Sequence, residues 1–122
     1  MRVAPLLALL STGVIALALC PVASASTYLT GAKVVSVRVD SNGHAIATFA
    51  SNLGGTPPAC AIAQYSNALA LDTTTDGGRS LLALLITAEA SGETVSVYGS
   101  GACNVYGYNV EDLSDAISAP AS

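Results

Sequence analysis

The side chains that could support catalysis are few in this chain. His44 is the single histidine, so it would have to act as the general base of any hydrolytic triad. It follows a turn signal, Ser41-Asn42-Gly43, where an exposed imidazole is ordinary, and no Gly-x-Ser-x-Gly nucleophile motif is present. We therefore expect no catalytic residues, no cofactor and a protein that is not an enzyme.

Residues 72–77, with the sequence DTTTDG, are similar to the start of an EF-hand calcium loop. However, Thr74 stands at the third loop position and Ala83 at the twelfth, where a bidentate glutamate closes such loops. Helix capping by Asp76 and a turn at Gly77 explain the same residues more simply. Zinc is excluded on ligand supply, because His44 is the single histidine and we expect Cys60 and Cys103 to be paired in a disulfide, as argued below. We predict no metal site.

Two further patterns have simpler explanations than chemistry. A glycosidase needs a pair of carboxylates, and six could be considered: Asp72, Asp76, Glu89, Glu93, Glu111 and Asp112. In so small a domain we expect these groups to keep the chain soluble. Gly77-Gly78-Arg79 could hold an anion at a helix N-terminus, but a single arginine is weak support.

Three tyrosines are the best candidates for recognition, namely Tyr98, Tyr106 and Tyr108. They fall on the last two predicted strands, where alternation points Tyr98 outward and gives Tyr106 and Tyr108 a shared face. Outward tyrosines present apolar rings with hydroxyl groups, which suit sugars or a protein partner. Alternatively they simply cover the strands, and the absence of tryptophan weakens the interpretation as a lectin.

The first 25 residues, MRVAPLLALLSTGVIALALCPVASA, are predicted to be a signal peptide. Arg2 supplies a positive start, residues 6–19 an apolar core, and residues 23–25 a small-residue cleavage site. Polar residues and a proline interrupt the apolar run, which disfavours a membrane anchor. A leucine before Cys20 disfavours lipidation. We expect cleavage after residue 25, no membrane insertion afterwards, and a periplasmic or secreted protein.

Removing the leader leaves two cysteines, Cys60 and Cys103, which in an exported chain predict a disulfide. Such a bridge would contribute about 4 kcal/mol by restricting the unfolded chain. The remaining cations are Lys33, Arg38 and Arg79 against eight carboxylates, so the net charge becomes −5. Nucleic acid and anionic membrane surfaces are disfavoured as partners, because both need clustered cations.

The order of predicted elements favours one small domain over residues 26–122. Residues 33–40 and 44–51 alternate as a hairpin with Gly43 left-handed in a three-residue loop. In that register Asp40 faces His44, and Val39, Val37 and Val35 face Ala45, Ala47 and Phe49. The remaining predictions are a polar edge segment at 26–30, a third strand at 60–72, a helix at 79–90 capped by Asp76, strands at 93–98 and 103–110, and an acidic tail at 111–122.

This order predicts a mainly β fold with one helix, β-β-β-α-β-β. It is the order of a small five-stranded OB-like barrel. The helix is apolar nearly all round, so it must be covered on most sides. If the barrel cannot cover it, a homo-oligomer would form through Leu81, Leu82, Leu84, Leu85 and Ile86.

Four segments of the second half carry a resemblance to a group of uncharacterised small exported bacterial proteins. They are Leu71-Asp72, residues 78–84 (GRSLLAL), residues 95–103 (VSVYGSGAC) and Glu111-Asp112. This resemblance brings no known activity. More distantly, the leader, single disulfide and strand order are similar to the B subunits of bacterial toxins, including that of subtilase cytotoxin. That similarity implies an OB-fold, a pentameric ring and binding of cell-surface glycans, although no glycan-contacting motif can be matched here.

Taken together, the sequence predicts an exported, non-catalytic binding module that recognises a glycan or a protein and is similar to toxin B subunits. The alternative is a structural or envelope-accessory periplasmic protein without a small-molecule ligand.

Overall fold

A computed structural model describes residues 25–118. Apart from residue 25, the predicted signal peptide lies outside this range. Its elements are β1 (Thr27–Val39), β2 (His44–Phe49), β3 (Gly54–Gly55), a 3₁₀ helix (Ala63–Tyr65), β4 (Ala68–Asp72), α1 (Asp76–Ser91), β5 (Thr94–Gly99) and β6 (Leu113–Ser118). The domain is therefore mainly β with one helix, as the sequence predicts.

The strands form one six-stranded antiparallel sheet in the order β4-β2-β1-β5-β6, with the two-residue β3 paired to the start of β1. The long strand β1 reaches both halves of the sheet, because its first half pairs with β5 and its second half with β2. A single parallel bridge joins Ala70 of β4 to Asp112, just before β6. The two outer strands thus approach each other at one point.

The predicted β1–β2 hairpin turn is confirmed. Gly43 has a φ of +89°, and its N–H donates to the carbonyl of Asp40 at 2.9 Å. The N–H of Asp40 donates to the carbonyl of His44 at 2.7 Å, so these residues face each other as expected. Because Gly43 tolerates the left-handed conformation, the three-residue loop closes without strain.

The predicted register holds to Val37, which pairs with Ala47, and then changes. Phe49 pairs with Val34, so the expected pairing of Phe49 with Val35 is wrong. Val35 is the extra residue of a β-bulge and is 55% exposed. A bulge increases the bend of a strand, and here it lets Val34 and Phe49 both point into the core while β1 turns between its two partners.

Helix α1 covers the inner face of the sheet. Leu85 is fully buried and Ala88 nearly so, and both pack with Phe49, Val95 and Val97 in the main core. These side chains alternate along β5 and along the buried stripe of the helix, so burial follows the two periods of the sequence. This face carries most of the domain's apolar burial.

The helix prediction is confirmed, but its cap is wrong. Thr75, not Asp76, is the N-cap, and its hydroxyl accepts the N–H of Gly78 at 2.9 Å. At the other end Gly92 has a φ of +73° and donates its N–H to the carbonyl of Ala88 at 2.9 Å. A threonine cap and a left-handed glycine are the ordinary start and stop of a helix.

The predicted strand at 103–110 is wrong, since this segment is a loop and the last strand is β6 in the predicted tail. Gly107 and Asn109 both have positive φ angles, which interrupt an extended chain. The carboxylate of Asp112 accepts the N–H groups of Asn104 and Val105 at 2.8 and 3.0 Å. The loop backbone therefore bonds to a side chain instead of a strand partner.

Two other strand predictions need correction. The segment 60–72 is extended only from Ala68 onward, because a proline turn and the 3₁₀ helix occupy its first half; the N–H of Ala61 donates to the carbonyl of Pro58 at 3.0 Å. The segment 26–30, predicted as an edge, instead begins β1 and lies between β3 and β5.

The loop 103–110 and the segment before β4 cover the opposite face of the sheet. Ile46, Ala68, Ala70 and Val110 are buried there in a second apolar cluster. The predicted disulfide is confirmed: Cys60 and Cys103, 43 residues apart in sequence, join the two covering segments, with their Cα atoms 6.1 Å apart. Within residues 25–118, no helix has the length and apolar character needed to cross a membrane.

Candidate binding cleft

A cleft of about 140 Å³ opens where the two disulfide-linked segments meet the outer face of the sheet. It is lined by three tyrosines from these segments, one arginine from β1 and three further residues: Tyr65, Tyr106, Tyr108, Arg38, Ile46, Asn109 and Val110. We take this tyrosine cleft, defined by these residues, as the candidate site.

Sheet geometry and the disulfide loop place these side chains. Arg38 pairs with Ile46 across β1 and β2, so both lie on the outer face. Tyr65 ends the 3₁₀ helix. Asn109 is fixed against the same segment, because its N–H donates to the carbonyl of Cys60 at 2.8 Å and its carbonyl accepts the N–H of Ile62 at 2.9 Å. The cleft is thus built by contacts between distant parts of the chain.

The side chain of Tyr106 is held by a series of polar contacts along one wall of the cleft. Its hydroxyl donates to Oδ2 of Asp40 at 2.6 Å, while Oδ1 of Asp40 lies 3.1 Å from Nε of Arg38. The ring of Tyr106 meets the ring of His44 edge to face, with centroids 5.2 Å apart. A short bond to a charged acceptor is stronger than a neutral one, so the Tyr106 ring is fixed before any ligand arrives.

The same contacts set the protonation states of Tyr106, Asp40 and Arg38. The hydrogen bond from Tyr106 holds the pKa of Asp40 below its ordinary value, and the charge of Arg38 acts in the same direction. Burial raises the pKa of the Tyr106 phenol, and its hydrogen bond to Asp40 adds to that. Near neutral pH the cleft therefore keeps a protonated phenol, an ionised Asp40 and a cationic Arg38.

Tyr108 stands at the mouth of the cleft and is 63% exposed. Tyr65 and Tyr106 are half-buried. An exposed ring beside two partly covered ones offers apolar faces to a ligand, while the phenols, Arg38 and Asn109 offer polar groups to orient it. This mixture is typical of recognition sites rather than of core packing.

The structure brings together two of the three predicted binding tyrosines. Tyr106 and Tyr108 both line the cleft, although they reach it from a loop instead of a strand. Tyr98 lies on β5, directly opposite Tyr28 of β1, and does not line the cleft. Tyr98 and Tyr28 are 37% and 50% exposed and are cross-strand neighbours on the surface, away from the cleft.

Sequence reasoning missed Arg38 in the cleft wall, Asp40 as the partner that holds Tyr106, and Tyr65 in the cleft. The outward alternation of Arg38 and Asp40 beside the hairpin turn was a local signal for the first two. Tyr65 gave no such signal, because only the chain reversal at the disulfide brings it beside the loop.

His44 has a structural environment. Its Nδ1 lies 3.2 Å from Nδ2 of Asn42, and its N–H donates to Oδ1 of the same residue at 3.0 Å. On the other side, in the pairing of β2 with β4, it lies opposite Asp72. These contacts fix the hairpin end and place the imidazole against Tyr106.

The calcium-like segment 72–77 is a turn followed by the helix cap. Asp72 accepts the N–H and hydroxyl of Thr74 at 2.9 and 2.6 Å, and these bonds hold the pKa of Asp72 below its ordinary value. Asp76 forms an ion pair with Arg79, whose Nη1 also donates to the Thr74 carbonyl at 3.2 Å. Among residues 25–118, no group of three or more His, Cys, Asp or Glu side chains could hold a metal ion.

Glu111 was expected at the surface, and this is wrong: it is 2% exposed. Its carboxylate accepts the N–H and hydroxyl of Thr27 and the N–H of Gly101. Together with Leu53 and Ile62, it lines a second, largely apolar cleft of about 320 Å³, separated from the first by Tyr65. Donors surrounding a carboxylate offset much of the cost of burying it.

Most of the apolar helix residues pack on the chain itself. Leu85 is fully buried, and Leu81, Leu82 and Leu84 are partly buried against the main core. Only Ile86 of the five is exposed, at 45%. The sheet thus covers more of the helix than its composition suggested.

No family model, curated protein or solved structure matches this chain. The resemblance to small exported bacterial proteins and to toxin B subunits therefore stays a prediction. Function has to be argued from the geometry of the cleft.

Proposed function

We propose that this chain is an exported, non-catalytic binding module that recognises a glycan through the tyrosine cleft. One observation carries the proposal: Tyr65, Tyr106 and Tyr108 surround a cleft of about 140 Å³ with Arg38 in its wall. Tyrosine rings pack against the apolar C–H faces of a sugar, and polar groups at the rim bond its hydroxyls. Drug-sized ligands occupy roughly 300–1,000 Å³, so this cleft suits one sugar unit of a larger glycan.

The rigidity of the cleft supports binding. The bond from Tyr106 to Asp40 fixes one ring, and the Cys60–Cys103 bridge joins the two loops that carry the other rings. A ligand loses less affinity to ordering when its site is already formed. If the loop only covered the apolar cluster beneath it, packing would give no reason for its most exposed ring, that of Tyr108, to stand at the mouth of the cleft.

The charge of the cleft favours a neutral ligand. Arg38, the cation in its wall, is already paired with Asp40. The region between the tyrosines therefore presents hydrogen-bonding groups without an unbalanced charge. A neutral sugar meets this environment at a smaller desolvation cost than a phosphate or an ammonium group.

We also propose that the sheet closes as an OB-type barrel. β4 and β6 stand at the two ends of the strand order, and the N–H of Ala70 in β4 donates to the carbonyl of Glu111 at 2.8 Å. The parallel bridge between Ala70 and Asp112 continues the same approach. These contacts support closure with the helix after the strand β4, the arrangement predicted from sequence. The similarity to toxin B subunits belongs to this proposal.

The similarity to toxin B subunits also implies that several copies of the chain assemble into a ring. Of the five predicted interface residues, Ile86 is exposed and Leu84 borders a shallow groove of about 400 Å³. A ring would have to use this groove and Ile86. Mass measurement in solution separates a ring from a single chain.

The alternative function is that of a structural or envelope-accessory protein without a ligand. The covered helix favours it, because Leu81, Leu82 and Leu85 already pack on the chain's own core. In that case the tyrosines only cover the second apolar cluster, to which Tyr65 and Tyr106 both contribute. Tyr108, which is not part of that cluster, is the residue on which the two functions differ.

A glycan array tests the proposal with a matched pair of variants. We expect the wild-type protein to bind a subset of the glycans and Tyr108→Ala to weaken that binding at least about tenfold. Tyr98→Ala removes an exposed tyrosine outside the cleft, so it should leave binding unchanged. Equal loss in both variants, or no bound glycan at all, would contradict recognition through this cleft and favour a protein partner or the alternative function.

A further inference from the structure

Glu111 is a buried carboxylate surrounded only by uncharged donors. It is 2% exposed, and neither of the two ion pairs found within residues 25–118 includes it. Glutamate is rarely buried to this extent without a cation nearby. The three donated hydrogens are those of the Thr27 N–H, the Thr27 hydroxyl and the Gly101 N–H.

These donors leave the carboxylate with room for one more. The Thr27 N–H reaches both oxygens, at 3.2 and 3.3 Å, so its single hydrogen is shared between them. A carboxylate has about four acceptor sites, whereas only three hydrogens are donated to this one. A further donor with a positive charge would complete the site and balance its charge.

The chain just before Thr27 is where such a donor can arise. A Cβ placed on Gly101, whose N–H bonds Glu111, would lie 2.8 Å from the carbonyl oxygen of Ala25 and 3.9 Å from Cβ of Ser26. The peptide bond between Ala25 and Ser26 therefore lies beside the carboxylate. This is the bond predicted from sequence to be cut when the leader is removed.

We propose that cleavage after Ala25 creates an ammonium group on Ser26 that forms an ion pair with buried Glu111. In this hydrolysis a water molecule adds across the C–N bond; Ala25 leaves with the carboxylate, and the amine of Ser26 takes up a proton. Before cleavage the nitrogen of Ser26 is a neutral amide. Processing thus supplies the one charge that the site lacks.

The geometry allows this ion pair with little movement. Successive backbone nitrogens are roughly 3 to 3.6 Å apart, given the bond lengths that join them. Since the nitrogen of Thr27 already touches Glu111, a rotation at Ser26 carries its ammonium into contact with the carboxylate. Freed from the leader, the first residue can make that rotation.

The consequence is that the mature chain differs from its precursor in stability as well as length. The ion pair would fasten the start of β1, which lies between β3 and β5, to the segment that enters β6. Thr27 and Glu111 also line the 320 Å³ cleft. Processing would therefore fix one wall of that cleft.

Amine reactivity tests the proposal without a variant. The full chain is expressed with its leader, purified from a bacterial periplasm, and its mass is measured; an N-terminus other than Ser26 would overturn the proposal. Lys33 is the only lysine, so the mature protein holds two amines. With an acetylating reagent, the folded protein should label Ser26 at least about tenfold more slowly, relative to Lys33, than the protein unfolded in guanidinium. An unchanged ratio would refute the ion pair.

A charge-removal control completes the experiment. In Lys33→Arg, the amine of Ser26 is acetylated, which removes its charge, or dimethylated, which keeps it. Acetylation should lower the folding equilibrium constant at least about tenfold and dimethylation less than about threefold. In the same background with Glu111→Gln, acetylation should have little effect, and an equal effect would overturn the proposal. Should Glu111→Gln not fold, the reactivity ratio decides.

Discussion

Gly77 and Gly78 are neighbours in the first turn of α1, yet substitution by alanine should change stability in opposite directions. A Cβ on Gly77 meets no atom within 4 Å. A Cβ on Gly78 would overlap the carbonyl oxygen of Asp72, with the carbonyl carbon 2.6 Å away and Oγ1 of Thr75 2.9 Å away. The Asp72 carbonyl is backbone at the junction between β4 and the helix, so it cannot rotate away, and the Thr75 hydroxyl is held there by the Gly78 N–H.

The expected magnitudes follow from these distances. Carbon atoms in contact prefer about 3.5–4.0 Å, so Gly78→Ala requires a shift of at least about 1 Å at the cap. Overpacking typically costs about 1–3 kcal/mol, and more against backbone; the gain in helix propensity returns up to about 1 kcal/mol. We expect Gly78→Ala to lower the free energy of unfolding by about 2–3 kcal/mol. Gly77→Ala should raise it by up to about 1 kcal/mol.

Urea unfolding followed by circular dichroism measures both variants. With a slope of about 1–1.5 kcal/mol per molar urea for a domain of this size, the Gly78→Ala midpoint should fall by about 2 M and the Gly77→Ala midpoint should rise by less than about 1 M. If both variants moved by a similar amount in the same direction, the close approach of the helix start to Asp72 would be refuted.

Three further predictions follow from named contacts. Reducing the Cys60–Cys103 bridge should lower the free energy of unfolding by about 4 kcal/mol, and denaturation with and without reductant measures this. Asp72 and Asp40 both have lowered pKa values. Their contribution to stability is therefore present above about pH 4 and lost as pH falls below it. The urea unfolding midpoint of an Asp72→Asn variant should therefore fall less steeply below pH 4 than that of the wild-type protein. An equal dependence of the two midpoints on pH would contradict this. Tyr106→Phe should raise the pKa of Asp40, measured by NMR titration, and an unchanged value would refute the bond between them.

Elements with local signals could be predicted from the sequence. Gly43 after a run of alternating valines predicted the hairpin, and the change of period at Arg79 predicted the helix, because turn and helix signals lie within a few neighbouring residues. The disulfide followed from the two cysteines that remain in a chain predicted to be exported. The strand at 94–99 followed from its valines and the glycine after it.

The end of the chain could not be predicted in this way. Residues 103–110 alternate like a strand, but the carboxylate of Asp112 and the positive φ of Gly107 determine a loop. Residues 113–118 are mostly small or polar and gain their strand only by pairing with β5. Tertiary contacts overrode local preference in both segments.

The candidate site was predictable only in part for the same reason. Tyr106 and Tyr108 were visible as a pair in sequence, whereas Arg38 and Tyr65 come to the cleft, and Asp40 comes to Tyr106, from two other segments. The burial of Glu111 had no sequence signal, since its donors lie at Thr27 and Gly101. A site whose residues come from distant segments can be recognised only once the fold is known.

The central claim is that a glycan binds between the tyrosines, and an NMR titration tests it most directly. The strongest-binding oligosaccharide from the array is added to ¹⁵N-labelled protein, and the shifted amide signals are mapped on the structure. We predict that the shifts surround Tyr65, Tyr108 and Asn109 and leave the signals of Tyr28 and Tyr98 unchanged. Shifts centred on Tyr28 and Tyr98, or none at saturating sugar, would contradict the account.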